Sequence, residues 1–538
     1  MSITVFTNGT IWTGVSSNLI VDALAIDGGK IIALGEDAKK HVGQDVTQID
    51  LAGGMLLPAF GDGHAHPLYG GLESIGPQIK GAPTLDALLE IVRKFAQDNP
   101  DKEWIVGASY ESWHAANGEF DAKWLDAVVP DRPVVLRAND YHTIWCNTKA
   151  LEIAGVTKDS PEPPLGVIVR RPDGTPMGTM REWGAVDLIM NQLPENTRAE
   201  FREGFKVSTQ TLAASGTTWV QDAWIDPGMP ESYMDALANG LLGVRYNLAL
   251  RADPFNWRNQ LDWFASARDL VGTQSHLTCR SIKFFADGVI EGGTAALKLP
   301  YVDAPDSVGM PCWDWQELKE AVATIDSMGF QPHIHAIGDD GIHAALNAIE
   351  YAQSVNKEKS HPRPVITHVQ LVDPIDLPRF AQLGVIANFE PLWACNDSLQ
   401  SELTTPRLGQ ERAQWQYPIK SLLNDGAAIS FGSDWPVTSQ KPLECMTIAV
   451  TREHALSENP TPWIPDERIS IDEALTAYTA GPAYQAGDET RRGTLQVGFE
   501  ADVVWLDIDI RSIAPALIPT ARVLGTWCLG KRVFTQES

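Results

Sequence analysis

The 538-residue sequence predicts an α/β protein: a (β/α)8 TIM barrel, a small β-sandwich domain formed by both termini, and an inserted α/β subdomain after the first barrel strand. Three observations predict it. Alternating apolar runs with Gly-rich turns occupy both ends of the chain, and strand-like runs alternate with helical patterns through the middle. The first two of these middle runs are about 150 residues apart, far more than a normal connection.

The two ends of the chain are expected to form one domain. Residues 3–59 contain β-branched runs separated by Asn-Gly and Gly-Gly turns, which is the hairpin pattern, and residues 493–534 repeat it. Each piece alone is too short to bury a core. We therefore expect a discontinuous β-sandwich from residues 1–57 and 488–538.

The middle of the chain, residues 58–487, has the rhythm of a barrel. After residues 331–339, for example, Ile342, Leu346 and Ile349 fall on one helical face. Alternating strands and helices predict a parallel sheet, and eight such units predict a closed barrel. The expected strands lie at residues 55–66, 217–224, 244–252, 281–288, 331–339, 364–371, 384–391 and 428–436. The long first interval predicts a mixed α/β insertion at about residues 75–205, covering the barrel mouth.

Composition excludes several classes of function. The net charge of −27 leaves no excess of Lys and Arg for nucleic acid or an anionic membrane surface. The six cysteines form no CxxC pair, so reduced and mostly buried thiols are expected. The first residues lack a signal-peptide pattern, and no apolar run approaches the ~18 residues of a spanning helix. A soluble, cytoplasmic protein is expected.

Chemically reactive side chains follow the expected barrel strands. They are His64 and His66 on the first strand, Lys283 and Asp287 on the fourth, His335 on the fifth, His368 on the sixth and Asp434 on the eighth. The carboxyl ends of the strands form the active face of such barrels. Imidazole and carboxylate groups that converge there predict a metal site.

The spacing of His64 and His66 has a physical meaning. Residues i and i+2 of a strand point the same way, so both imidazoles can bind one ion. Gly61 and Gly63 permit a tight backbone, and Asp62 is placed to orient an imidazole. Because packed cores also contain such pairs, the prediction depends on the later His, Lys and Asp residues in their order.

Several residues have both a functional and a structural interpretation. His142, in the insertion, is expected to reach the substrate over the barrel mouth or to make a structural hydrogen bond. Trp113 and Trp393 are expected to bind substrate. Other tryptophans beside motifs are expected either to line the pocket or to pack in the core: Trp183, Trp224 and Trp435.

A further group is expected to support the site. His333, two residues before His335, is interpreted as packing or as support for a ligand, and His343 as a helix-face residue. Two structural roles are open for three carboxylates, which either hold ligands in place or cap the following helices: Asp287, Asp339 and Asp340.

Motifs throughout the chain resemble a known family. They are LLPAFGDGHAHP, DYHTIWCNTKAL, GTPMGTMRE, IKFFADG, HIHAIGDDGIHAAL, ITHVQL, FGSDWPV and ADVVWLDID. They resemble the amidohydrolase superfamily, and within it the amidohydrolase-3 (YtcJ-like) group, which includes N-substituted formamide deformylases. The resemblance extends from Asn8 to Val533. At residues 140–143 the chain has Asp-Tyr-His-Thr where the family has DGxHS, which affects a substrate-side position.

The resemblance implies one or two divalent ions, most often zinc. The matching ligands are His64, His66 and Asp434 for the first ion, and His335 and His368 for the second. Lys283 matches a lysine that, when carbamylated, bridges two metals in parts of the superfamily. An unmodified lysine beside a single ion is the alternative. Homodimers are common in the superfamily.

Resemblance and residue types together predict a metal-dependent amidohydrolase acting on carbon–nitrogen bonds other than peptide bonds. The bond would belong to an amide, formamide, carbamate or cyclic amide, and Asp434 would move the proton of the attacking water. Hydrolysis of an ester, lactone or carbon–halogen bond is the alternative, and a non-catalytic metal or small-molecule binding protein is a third interpretation. Abundant Trp and few Lys or Arg near the motifs favour a neutral, partly aromatic small-molecule substrate.

Overall fold

A computed structural model describes residues 3–16, 18–43, 46–357, 362–454 and 461–536. Its strands form three sheets. The strands are β1 (Thr4–Trp12), β2 (Ile20–Asp27), β3 (Lys30–Leu34), β4 (Thr47–Asp50), β5 (Met55–Pro58), β6 (Phe60–Ala65), β7 (Ile105–Tyr110), β8 (Val134–Ala138), β9 (Thr143–Cys146), β10 (Val167–Arg170), β11 (Pro176–Arg181), β12 (Thr217–Ile225), β13 (Arg245–Arg251), β14 (Leu277–Phe285), β15 (Gln331–Ala336), β16 (Val365–His368), β17 (Ile386–Phe389), β18 (Ala428–Phe431), β19 (Val503–Leu506), β20 (Val523–Cys528) and β21 (Lys531–Thr535).

Helices connect these strands. They are α1 (Glu36–Lys39), α2 (Pro67–Glu73), α3 (Leu85–Asp98), α4 (Ala122–Asp126), α5 (Thr148–Ile153), α6 (Glu182–Met190), α7 (Arg198–Ala214), α8 (Met229–Ala238), α9 (Trp257–Val271), α10 (Trp315–Ser327), α11 (Asp339–Val355), α12 (Leu377–Gln382), α13 (Thr405–Leu408), α14 (Ile419–Asn424), α15 (Pro442–Thr451), α16 (Ile471–Tyr478) and α17 (Ala480–Gln485). A π-helical turn at Gln400–Thr404 precedes α13.

The two ends of the chain share one sheet, as the sequence predicts. Its order is β21-β20-β19-β5-β1-β2-β3, with β4 paired to β1. The junction is the antiparallel pair β19–β5, where Val503 lies opposite Pro58. Phe6, Leu56 and Trp527 meet in its core, so neither terminal piece is complete without the other. The exact domain boundaries stay a prediction.

The barrel is a parallel eight-stranded sheet in the order β6-β12-β13-β14-β15-β16-β17-β18. All eight predicted strand segments contribute to it. The segment at residues 55–66 divides, however: Met55–Pro58 joins the terminal sheet and only Phe60–Ala65 enters the barrel. The helix predicted after β15 is α11, and Ile342, Leu346 and Ile349 are buried on it.

The insertion lies between β6 and β12 and contains its own five-stranded sheet, in the order β10-β11-β9-β8-β7. Only β7 and β8 are parallel; the remaining pairs are antiparallel. The insertion has its own apolar core around Leu88, Leu136 and Trp145. It is therefore a folded subdomain rather than a long loop.

Two further observations concern the cysteines and the hydrophobicity of the helices. All six cysteines are free and buried, as predicted. Among the described helices, none combines the length and apolar character needed to cross a membrane.

Candidate metal centre

Asp434 lies beside the paired histidines because the last barrel strand approaches the first. The backbone N–H groups of Ser433 and Asp434 both donate to the carbonyl oxygen of His64, at 3.2 and 2.8 Å. Asp434 has a φ of 52°, in the left-handed region that non-glycine residues rarely adopt. The backbone conformation that places this carboxylate is therefore strained, and such strain is found mostly at functional sites.

His64, His66 and Asp434 form a group able to hold a cation. Their donor atoms lie within 4.8 Å of one another, and all three residues are buried. Oδ1 of Asp434 lies 2.9 Å from Nε2 of His66 and 3.4 Å from Nε2 of His64, but neither close approach has the geometry of a hydrogen bond. A buried carboxylate oxygen is costly without a partner. Two imidazole nitrogens and one carboxylate oxygen fit a divalent ion such as zinc.

Burial keeps the paired imidazoles neutral. It lowers the pKa of His64 well below the ordinary 6.5, with the charge of Lys283 as the next cause, and it lowers the pKa of His66. The pKa of Asp434 is also lowered: burial acts in the opposite direction, and the interaction with His66 outweighs it. Neutral imidazoles and an ionised carboxylate are the forms that bind a metal.

Lys283 reaches the same group from β14. Its Nζ lies 3.4 Å from Nε2 of His64 and 4.6 Å from the ring centroid of Phe285. Burial lowers the pKa of Lys283 to about 7. At neutral pH a large share of the lysine is therefore uncharged, which reduces its repulsion of a cation.

His335 and His368 lie next to the triad, with ring centroids 4.5 Å apart. Nε2 of His335 lies 3.2 Å from the carbonyl oxygen of Gly288, and Nδ1 of His368 lies 2.8 Å from Oε2 of Glu390. Burial lowers the pKa of His368 to about 3. Within the described residues neither histidine joins the three-donor group. Their binding of a second ion stays a prediction.

Two neighbours of the ligands have clear structural roles. Nε2 of His333 lies 2.7 Å from Nδ1 of His64, so His333 supports that ligand. Asp62 does not orient an imidazole; it accepts hydrogen bonds from the backbone N–H groups of His64 and Ser433 and from the Ser433 hydroxyl, at 3.2, 3.0 and 2.5 Å. Its carboxylate fixes the backbone on both sides of the strand junction.

The other carboxylates hold loops. Asp287 accepts hydrogen bonds from the backbone N–H groups of Ala296, Ile337 and Gly338. Asp339 accepts from the N–H of Lys298 and Asp340 from the indole of Trp315, at 3.0 and 3.1 Å. His343 is a partly exposed helix residue 2.9 Å from Asp376.

One cavity of about 320 Å³ contains the predicted site. The predicted residues that line it are His64, His66, Trp113, His142, Lys283, His335, His368, Trp393 and Asp434. Trp224 also lines it, and Trp183 packs against Trp224 with ring centroids 4.3 Å apart. The ring of Trp393 stacks on His368 at 5.3 Å. A cavity of this size suits a small organic molecule.

The insertion contributes His142 to this cavity. Its ring lies 5.4 Å from that of His335, and Nδ1 lies 2.9 Å from Oε2 of Glu182. The other Glu182 oxygen accepts from the hydroxyl of Thr294 at 2.5 Å. Burial acts to lower the pKa of His142, and the charge of Glu182 outweighs it, so the pKa is raised. Glu182 therefore fixes which ring nitrogen of His142 is free.

Sequence reasoning missed Glu390 and Glu182. Glu390 directly follows β17, so a polar residue at the end of the seventh strand was the available signal. Glu182 ends the motif GTPMGTMRE, but it follows a strand of the insertion sheet and meets His142 only through the tertiary fold, so its role was not predicted.

The chain is similar to known proteins over nearly its full length. A family model described as "Amidohydrolase family" matches residues 47–534. Protein LONG AFTER FAR-RED 3 of Arabidopsis thaliana is 30% identical over 98% of this chain and 91% of its own length. The putative amidohydrolase YtcJ of Bacillus subtilis is 27% identical over 98% of this chain and 99% of its own length.

Two further similarities concern activity and fold. The N-substituted formamide deformylase of Arthrobacter pascens is 25% identical over 97% of this chain and 96% of its own length. The crystal structure of an uncharacterized metal-dependent hydrolase from Pyrococcus furiosus has a TM-score of 0.74 and 25% identity, covering 95% of this chain and all of the other. The similarity includes the barrel, the terminal sheet and the insertion together.

Proposed function

The chain belongs to the amidohydrolase family, in its YtcJ-like group, and from this premise we propose that it is a metal-dependent hydrolase of a carbon–nitrogen bond other than a peptide bond. The bond would belong to an amide, formamide, carbamate or cyclic amide. The observation that carries the proposal is the buried carboxylate oxygen of Asp434, which lies without a hydrogen bond between two imidazole nitrogens in a cavity.

The residues that would hold the ion are His64, His66 and Asp434, and zinc is the proposed metal because imidazole and carboxylate donors suit it. A bound divalent ion polarises a carbonyl group and lowers the pKa of water. Lys283 lies close enough to join this set if it is carbamylated. Metal analysis, described below, distinguishes one bound ion from two.

The protein's own groups have distinct tasks. Asp434, as an ionised carboxylate, accepts a proton from the attacking water and returns it to the leaving nitrogen. His142 contacts the substrate from the insertion side, held by Glu182. Trp393, stacked on His368, and Trp113 at the mouth supply apolar contact area for the substrate.

Similarity to the Arthrobacter formamide deformylase supports carbon–nitrogen chemistry. The cavity supports a substrate that is not multiply anionic. Its lining contains three cationic side chains, Lys80, Arg181 and Lys283, beside a larger number of acids, Glu111, Asp140, Glu291, Asp397 and Asp434. Aromatic rings of Trp224, Phe285 and Trp393 favour a partly aromatic substrate.

Metal analysis of protein purified without chelator, with intact mass under mild conditions, tests the metal part. One or two equivalents of zinc are expected, and a carbamate on Lys283 would accompany two. Active protein free of metal would overturn the proposal.

A turnover panel tests the bond. We expect hydrolysis of N-aryl or N-benzyl amides and formamides in preference to acidic N-acyl amino acids. Turnover of esters, lactones or aryl halides alone would replace the proposed bond type on the same metal site.

A further inference from the structure

Polar side chains that do not belong to the metal group line another part of the cavity. They lie on the segments that follow β14, β16 and β17. We call them the amide wall: Glu291, Gln370, Gln400, Thr404 and Tyr417. The metal-centred function assigns no task to any of them.

The amide of Gln370 has a fixed orientation. Its Nε2 donates to Oε1 of Gln416 at 2.9 Å, and Nε2 of Gln416 donates to the carbonyl oxygen of Ala413 at 3.2 Å. Because a backbone carbonyl can only accept, this relay fixes both amides. Oε1 of Gln370 is therefore turned away from Gln416. Gln370 is 3% exposed and lines the cavity, and its Oε1 accepts no hydrogen bond from the described residues.

The π-helical turn at Gln400–Thr404 presents two unsatisfied groups. Oε1 of Gln400 and Oγ1 of Thr404 are buried and have no hydrogen-bond partner in the described structure. Gln400 is 3% exposed and Thr404 is fully buried, and both line the cavity. π-Helical turns occur frequently at functional sites. A buried group without a partner costs folding free energy, and a ligand that pairs with it would recover this cost.

Glu291 adds an acceptor without a cation. Among the described residues it forms no ion pair within 4.0 Å and lines the same cavity. Burial, followed by the charge of Asp140, raises the pKa of Glu291 to about 7. The backbone N–H of Tyr417 donates to the carbonyl oxygen of Gln370 at 2.7 Å. Burial, followed by the charge of Glu291, raises the pKa of Tyr417.

We propose that the amide wall binds an N–H donor group of the substrate, such as a primary carboxamide or urea NH2, apart from the bond that is cleaved. The acceptors that would receive the donors are the oxygens of Gln370, Gln400 and Glu291. The inference rests on the proposed function in taking this cavity as the substrate's.

The cations of the cavity do not offer an equal site for an acidic group. Nζ of Lys80 donates to the carbonyl oxygen of Pro436. Arg181 donates to the carbonyl oxygen of Asn117 at 2.7 Å and lies 3.7 Å from Glu119. Both are already paired with protein acceptors and Lys283 belongs to the metal group, whereas Oε1 of Gln400 and Oγ1 of Thr404 have no partner in the described structure. The unpaired hydrogen-bonding groups of this part of the cavity are therefore acceptors, which suit a ligand that donates hydrogen bonds.

A matched pair of neutral compounds tests the proposal. N-(4-carbamoylbenzyl)formamide and N-(4-acetylbenzyl)formamide differ only in an NH2 in place of a CH3. Calorimetry on the full-length Asp434→Asn chain, with zinc supplied in the buffer, measures their dissociation constants while turnover is slow. We expect the carbamoyl compound to bind at least about tenfold more tightly, since a site built for an N–H rejects the analogue that lacks it.

Variants of the wall assign the preference. Gln370→Met should bring the two affinities within about twofold of each other. Gln400→Met should reduce the preference as well, and it removes an oxygen that makes no hydrogen bond in the protein, so folding is not at risk. Gln414→Met, at an exposed glutamine two residues before Gln416, is the matched control and should keep the preference.

Equal affinity of the two compounds, or an unchanged preference in both wall variants, would overturn the inference. Turnover of both compounds by the unaltered enzyme is measured separately. If both compounds are cleaved with equal efficiency, the proposed function is supported and the substrate-binding role of the amide wall is refuted. If the carbamoyl compound binds more tightly but is not cleaved, the role of the amide wall is supported and the proposed type of scissile bond is refuted.

Discussion

Asp434 combines a left-handed backbone, near-complete burial and a carboxylate oxygen that no hydrogen bond satisfies. Each feature alone costs folding free energy. Their coincidence between two neutral imidazoles indicates a position selected for chemistry rather than for stability.

Replacing Asp434 by Asn removes the anionic charge and the proton acceptor while keeping the size of the side chain. We expect kcat to fall by about 10²–10⁴-fold, the usual contribution of a general acid–base residue, with a lower metal content. Steady-state kinetics and metal analysis measure both. Asp340→Asn, at a carboxylate outside the cavity, is the control. Full activity of Asp434→Asn would contradict the assignment.

Glu390 orients His368 through a 2.8 Å hydrogen bond to Nδ1 and is fully buried. We expect Glu390→Gln to reduce metal affinity or activity by about 10–100-fold, as is typical of residues that orient ligands. Competition with a chelator followed by kinetics measures the two effects. Glu402→Gln, an exposed glutamate on the π-helical turn, should behave as the unaltered protein. If Glu390→Gln also leaves metal affinity and activity unchanged, the hydrogen bond to Glu390 is not needed to orient His368.

Glu182 has a φ of 59° and holds His142 within the insertion, while its other oxygen accepts a hydrogen bond from Thr294, which follows barrel strand β14. We expect Glu182→Gln to lower kcat/KM by about tenfold because it frees the ring of His142, while metal content stays constant. The measurement is kcat/KM for the best substrate of the panel, with metal analysis alongside. Glu119→Gln is the control on the same subdomain. A fall in kcat/KM that is accompanied by loss of metal or of folding would assign Glu182 a structural role, and an unchanged kcat/KM would contradict its role in holding His142.

At the scale of elements, the candidate site is formed by residues at the carboxyl ends of the barrel strands. The i, i+2 spacing of His64, on β6, and His66, directly after it, was sufficient to predict that both face the same site, and both line the cavity. The prediction of residues 55–66 as one strand was incomplete because Ala59 separates two segments that hydrogen-bond to different sheets. An apolar run cannot reveal which sheet it joins.

The second barrel strand contains a buried carboxyl group whose contribution to the free energy of unfolding depends on pH. Burial raises the pKa of Asp222 on β12 from 3.8 to about 7, although Tyr233 donates a hydrogen bond to it. The folded protein therefore holds a proton that the unfolded chain releases between these values. This contribution to stability is complete below pH 3.8 and is lost as the pH rises through 7.

Asp222→Asn stays neutral at every pH. From pH 4 to pH 7.5 we expect the unaltered protein to lose stability relative to the variant, by an amount on the order of a few kcal/mol. Thermal melting at several pH values, followed by circular dichroism, measures the difference in Tm. A difference that does not change with pH would show that Asp222 is ionised in the folded state.

On the scale of the whole molecule, Arg245 joins the barrel to the terminal sheet. It begins β13 and forms buried ion pairs with Glu500, at 2.7 Å, and with Asp502, immediately before β19. All three side chains are at most 8% exposed. Removal of the guanidinium leaves the Asp502 carboxylate buried without an ion-pair partner, and leaves Glu500 with Arg491 at 2.9 Å and Lys30 at 4.0 Å.

We expect Arg245→Met to destabilise the protein by about 3–5 kcal/mol, the usual cost of breaking a buried ion pair from one side. Arg202→Met removes a more exposed pair with Asp235 and should cost at most about 1 kcal/mol. Denaturant unfolding compares them. Additional Glu500→Gln and Asp502→Asn substitutions should recover part of the loss; equal effects of the two arginine variants would refute the interface role.

The sequence by itself determined the fold class, the pairing of the two termini and the residues at the barrel's active face. Periodicity and strand-end position are local properties of the chain, which is why His64, His335, His368 and Asp434, which line one cavity, could be proposed as site residues without coordinates. Only the tertiary structure decided what those residues contact. Glu182 reaches His142, and His333 reaches His64, across long sequence separations, so their partners depend on packing between elements. The polarity of the amide wall has the same origin, because the orientation of Gln370 is set by Gln416, which lies far along the chain.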